Sequence, residues 1–97
     1  MKFVIPKNKI NFNIREGLRR LGYFGLLIVD ETSYVKRLSR TQYYPRFHLY
    51  LNESGDEITF NLHLDQKYAS YKGSSAHSGE YDGDTVQAEA ERIIGNL

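Results

Sequence analysis

Residues 47–65 read FHLYLNESGDEITFNLHLD. Phe47, Leu49 and Leu51 alternate with His48, Tyr50 and Asn52 before the polar link Glu53-Ser54-Gly55-Asp56-Glu57. After it, Ile58, Phe60, Leu62 and Leu64 alternate with Thr59, Asn61, His63 and Asp65. A period of two marks a strand with one buried face, and a short link containing glycine predicts an antiparallel hairpin. With the apolar sets on one face, the opposite face collects His48, Tyr50, Asn61, His63 and Asp65. A loop from Ser54 to Glu57 sets Glu53 opposite Ile58, and therefore His48 directly opposite His63.

The chain before the hairpin supplies further elements. Lys2 to Ile5 reads as a short strand ended by Pro6, which has no amide hydrogen for a ladder. Asn13 with Glu16 three residues on has the spacing of a capping box. Ile14, Leu18 and Leu21 form one apolar stripe, so the sequence predicts a helix over 14–21 stopped at Gly22. Tyr23 to Val29 is almost wholly apolar and too short for most helices, which predicts a buried strand. Residues 30–33 read as a turn and Tyr34 to Leu38 as a further strand.

Beyond the hairpin, Gln66 to Gly83 is a long segment rich in Gly, Ser, Tyr and Asp, the kind of loop that is functional or disordered in a small domain. A second helix is expected over 85–94, capped by Asp84 with Gln87 at the capping-box position and frayed by Gly95. The expected fold is a single α+β domain over residues 1–97. Its antiparallel sheet of four or five strands can curl toward a barrel, and two helices cover its apolar face. The histidine face is expected to lie open to solvent or ligand.

Composition narrows the classes. Of 97 residues, 40 % are apolar and 26 % charged, as in a folded soluble protein. No apolar run approaches a membrane span and the first residues lack a signal-peptide core, so a cytoplasmic protein without membrane contact is expected. With no cysteine, any metal must sit on imidazole and carboxylate. Residues 1–46 carry ten Lys/Arg against three acids, and the remainder three against nine. Such a split either pairs the halves of the fold with each other or sets a basic polyanion surface beside an acidic, cation-holding site.

All three histidines lie between residues 48 and 77. In a strand, positions i and i+2 share a face, so His63 and Asp65 can flank one ion with His48 from the neighbouring strand, and His77 can fold over as a fourth ligand. Imidazole with carboxylate suits Mn²⁺ or Zn²⁺ and leaves positions for water and substrate. Lys67 and Tyr81 are placed to contact a phosphate, and Glu80 or His77 to move protons. Arg37, Arg40, Tyr43, Tyr44 and Arg46 interleave basic and aromatic residues, as contacts to phosphates and bases require.

The order His48, then His63-x-Asp65-x-Lys67, then His77-x-x-x-Tyr81 resembles the 3′-phosphoesterase domain of bacterial DNA ligase D. The resemblance spans roughly residues 48–83 and implies histidines and an aspartate at a manganese site and hydrolysis at nucleic-acid 3′ ends. Lys67 stands where that family has arginine, which loses the forked phosphate geometry. Two rival readings accompany it: a non-catalytic RNA- or single-strand-binding module, and a metal-free ribonuclease using His48 and His63 as acid and base. The sequence leaves the oligomeric state open.

Overall fold

The computed structural model describes residues 1–10, 13–28, 31–66, 79–80 and 83–97. Its elements in chain order are β1 (Lys2–Pro6), a 3₁₀ turn (Lys7–Lys9), α1 (Ile14–Arg20), β2 (Phe24–Ile28), β3 (Glu31–Arg37), β4 (Arg46–Ser54), β5 (Glu57–Asp65), β6 (Gly79–Glu80) and α2 (Asp84–Asn96). The fold is α+β, an antiparallel sheet with two helices.

The predicted hairpin is β4–β5, and it forms the middle of the sheet, whose strand order is β1-β5-β4-β3-β2. Glu53 pairs with Ile58 and His48 with His63, the register that a loop from Ser54 to Glu57 sets, but Ser54 also pairs with Glu57, so only Gly55 and Asp56 turn the corner. Gly55 at φ 60° takes the left-handed conformation that such a tight turn needs. β6 extends the β1 side of β5, placing Gly79 opposite Asp65 and Glu80 opposite Leu64. The sheet does not curl into a barrel: β1 and β2 pair on one side only among the described residues, so it stays open.

The apolar sets converge as expected. Phe47, Leu49, Ile58, Phe60, Leu62 and Leu64 from the hairpin join Ile5 from β1, Leu18 from α1, and Val86, Ala90, Ile93 and Leu97 from the C-terminal segment in one core. Phe60 is fully buried and stacks on Phe3 at 5.0 Å between ring centres. Both helices therefore lie on the apolar face of the sheet.

α1 is capped as predicted: Asn13 Oδ1 accepts from the backbone N–H of Arg15 (3.0 Å) and of Glu16 (3.4 Å). Gly22 follows it at φ 101°, a conformation open to glycine. α2 departs from expectation at both ends. Its N-cap is Gly83, with Asp84 inside the first turn, where a carboxylate favours the helix dipole, and Gly95 lies within the helix. A buried polar clamp holds α2 to the chain after α1. Tyr23 Oη donates to Glu89 Oε2 (2.6 Å), Arg92 donates to both Glu89 oxygens (2.7 and 2.8 Å), and Arg92 Nη2 also reaches Leu21 O (2.9 Å). Burial and the neighbouring carboxylate push the Tyr23 phenol far above its usual range. Burial works to raise the Glu89 pKa, but bonds from Arg92 and Tyr23 outweigh it and hold it below the usual value.

Two predicted elements are corrected. Of the turn expected at 30–33, Asp30 lies outside the described residues and Glu31 to Ser33 are strand: Ile28 already pairs with Glu31, and Ser33 pairs with Leu26 on one side and Tyr50 on the other. Pairing with β2, and at Ser33 with β4 as well, outweighs the turn preference of Thr and Ser. The apolar run from Tyr23 is an edge strand and not a buried one. Tyr23 is buried, but Phe24 is 65 % exposed, and among the described residues β2 has a neighbour on one side only.

Candidate metal centre and basic groove

Strand register brings the polar face together in rows. Arg37, Arg46 and Asp65 form one row across β3, β4 and β5. Phe24, Val35, His48 and His63 form the next across β2 to β5. Leu26, Ser33, Tyr50, Asn61 and Lys2 form a third. The first two rows hold the chemistry.

Asp65 is the hub. Its Oδ2 accepts from Arg46 Nε at 3.1 Å and lies 3.2 Å from His48 Nδ1, while Oδ1 lies 3.0 Å from His63 Nε2. Burial alone would raise the Asp65 pKa. Hydrogen bonds from His48 and His63, the charge at His63 and the Arg46 guanidinium outweigh it and hold the carboxyl well below the usual carboxylate range. The rings are packed as well as bonded: Tyr50 stacks on His48 at 4.4 Å and on His63 at 5.6 Å, and the two imidazoles are 5.0 Å apart.

The expectation that this face lies open is corrected, since His48 and His63 are only 6 % and 8 % exposed. Stacking between cross-strand rings and pairing to Asp65 draw them out of solvent.

His48, His63 and Asp65 each offer a donor atom within 4.8 Å of the others, as the sequence predicts for three of the four proposed ligands. Ligand bonds of about 2.0–2.2 Å put donors on one ion roughly 3–3.5 Å apart. The 3.0 and 3.2 Å separations run from the two histidines to different oxygens of Asp65 and are those of hydrogen bonds, so an ion would enter by replacing these bonds. His48 has a second constraint: its Nε2 lies 2.6 Å from Ser33 Oγ. When Ser33 donates to Nε2, the ring proton sits on Nδ1 and bonds Asp65. When Nε2–H donates to Ser33, the Nδ1 lone pair faces the carboxylate, and only a cation makes that arrangement favourable. The latter is how metal-bound histidines are commonly oriented. The donor set thus fits a divalent ion.

Ser33, His48 and Asp65 also follow the connectivity of a nucleophilic serine relay. At 2 % exposure Ser33 is out of reach of a substrate, so its hydroxyl serves to hold the ring. Sequence reading missed Ser33 because it fell in a predicted turn. The signal that could have found it is its register on Tyr50, one row from His48.

The remaining predicted residues divide. Lys67, His77 and Tyr81 lie outside the described residues, as does the side chain of Glu80. The basic-aromatic set splits in two. Arg46 is no outward phosphate contact: it is 11 % exposed, bound to Asp65, and its guanidinium lies 4.7 Å from the Tyr43 ring centre and 4.8 Å from that of Tyr44. Asp65 opposite it in the register captures the charge. Arg37, Arg40 and Tyr43 instead line a groove of about 570 Å³ with Phe24, Val35 and Ser39.

No protein-family model matches the chain, and no curated protein or solved structure is significantly similar to it. No helix among the described residues is long and apolar enough to cross a membrane.

Proposed function

We propose that this protein is a divalent-metal-dependent phosphoesterase acting on nucleic-acid 3′ ends, a cytoplasmic enzyme with His48, His63 and Asp65 as the ion's ligands. The observation that carries the reading is the convergence of these three donors within 4.8 Å on adjacent strands, with the second nitrogen of His48 tied to Ser33. A Mn²⁺ or Zn²⁺ ion held there supplies a Lewis acid and a water activated near neutral pH. The chain's own part is to hold the ligands rigidly: the β4–β5 ladder sets their spacing, and Tyr50 packs both rings. His77 as a further ligand or acid–base group, Glu80 as a proton carrier, and Lys67 and Tyr81 as phosphate contacts complete the proposal from sequence order alone.

A metal-free ribonuclease reading draws on the same imidazole pair, 5.0 Å apart between ring centres. Chelation separates the two, since it abolishes activity only in the metal reading.

The deciding measurement is isothermal titration of the wild type and His63→Ala with Mn²⁺ and Zn²⁺, followed by assays on 3′-phosphate and 3′-ribonucleotide ends. Stoichiometric binding lost in the variant is the expected result. No heat and no shift in melting temperature with either ion sinks the metal reading.

A further inference from the structure

The groove beside the histidine cluster is a separate feature of the same sheet face. It is lined by Phe24 and Val35, neighbours in the β2–β3 ladder, together with Arg37, Arg40 and Tyr43. We propose that it holds an unpaired nucleic-acid end, with Arg37 and Arg40 on phosphates and Phe24 and Tyr43 stacking on bases.

Three observations argue for this occupant. First, charge: Arg37 and Arg40 are exposed, and among the described residues they form no ion pair and share the groove with no acidic side chain. The nearby Asp65 carboxylate is already held by Arg46, so the two arginines are placed to attract an anion. Second, ring faces: Phe24 is 65 % exposed and Tyr43 41 %, and the Arg37 guanidinium lies 5.9 Å from the Tyr43 ring centre. Guanidinium and aromatic surface side by side is the pairing that single-strand binders use to take phosphate and base together. Third, size: about 570 Å³ falls within the range of small-ligand sites and suits one or two nucleotides. A duplex covers all but its two terminal base faces by stacking, so an unpaired strand offers far more ring surface to Phe24 and Tyr43.

Register also places the groove beside the cluster. Val35 pairs with His48 and Arg37 with Arg46, so the groove abuts the His48–Asp65 cluster with one strand spacing, about 4.8 Å, between their backbones. A strand lying in the groove lies next to that cluster. This rests on the proposed function for the reaction that follows, while binding in the groove requires no metal.

The test is fluorescence anisotropy in EDTA with a labelled six-nucleotide single strand and a labelled long duplex, closed by hairpin loops, that contains the same sequence. Wild type is compared with Phe24→Ala and with the double variant Arg37→Ala/Arg40→Ala, all three sites being exposed. The single strand is expected to bind more tightly than the duplex. Phe24→Ala weakens it on the order of tenfold. The double variant also flattens the plot of log affinity against log salt by about 1.4, roughly 0.7 for each single-strand phosphate that the protein no longer neutralises. Unchanged affinity in the double variant, or equal affinity for the duplex, overturns the proposal. So does wild-type self-association that Phe24→Ala abolishes without any oligonucleotide binding, which would assign the β2 edge to a second copy of the chain. Oligonucleotide binding in EDTA with no heat from either metal would leave the groove standing and sink the phosphoesterase; metal binding without oligonucleotide binding would do the reverse.

Discussion

Asp65→Asn is the most informative single change, because one carboxylate holds three partners. The substitution keeps size and shape but removes the charge facing Arg46, His48 and His63. Removing one member of a buried ion pair costs about 3–5 kcal/mol, since its partner is left unbalanced. The Asp65 side chain is 20 % exposed and Arg46 11 %, so water recovers part of that, and we expect a loss of about 2–4 kcal/mol. For a chain of this size, at about 4–8 °C per kcal/mol, the melting temperature falls by roughly 8–32 °C. The surface pair Lys7–Glu53, with side chains 42 % and 58 % exposed, is the control: Glu53→Gln should change stability by no more than about 0.5 kcal/mol.

The pH dependence supplies a second, independent readout. Asp65 is depressed in the folded state, so its stabilisation is complete above the unfolded carboxylate pKa of about 3.9 and is lost as pH falls below that toward the folded value. Asn cannot titrate. The gap between wild type and Asp65→Asn, measured by urea denaturation, should therefore shrink as pH falls below about 4. A gap under about 0.5 kcal/mol at neutral pH, or one that does not shrink in acid, would refute the assignment of Asp65 as the charge hub.

Three further outcomes are expected. Arg46→Met removes the cation on Asp65 Oδ2, so it should lower stability by about 1–3 kcal/mol while tightening Mn²⁺ or Zn²⁺ binding in calorimetry; weaker metal binding would count against Arg46 as the competing cation. Tyr23→Phe keeps the buried ring but deletes a hydroxyl bond to a carboxylate, for a loss of about 1.5–3 kcal/mol in denaturant unfolding, and an unaffected midpoint would show that Arg92 alone satisfies Glu89. Gly22→Ala forces φ 101° on an L residue and brings its Cβ to 3.0 Å from Lys36 Cε, so thermal denaturation should reveal a loss of about 1–2 kcal/mol; stabilisation instead would mean that the backbone relaxes out of this conformation.

Much of this architecture was legible in short stretches of sequence. Alternation in 47–65 was enough to predict the hairpin and the shared face of His48 and His63, because side-chain direction in a strand depends only on parity; their pairing rested on the assumed loop, whose register holds although the turn is two residues shorter. The Asn13 cap was readable for the same reason: its partners are two and three residues away. The α2 cap was misread by one residue, since Gly83 and Asp84 both suit a helix start and differ little in local energy.

The surroundings of the hub belong to the tertiary structure. Nothing in residues 30–40 by themselves says that β3 lies beside β4, yet that placement brings Ser33 to His48 and carries Arg37 and Phe24 to the rim of the cluster. Arg46 read equally well as a phosphate contact until the ladder set it opposite Asp65, whose charge outcompetes solvent for it. Sequence by itself determined which faces are apolar and which histidines meet, because those follow from spacing along one chain segment. Only the assembled sheet decided which of those polar groups are buried, paired or left free, because burial and charge balance depend on neighbours tens of residues away.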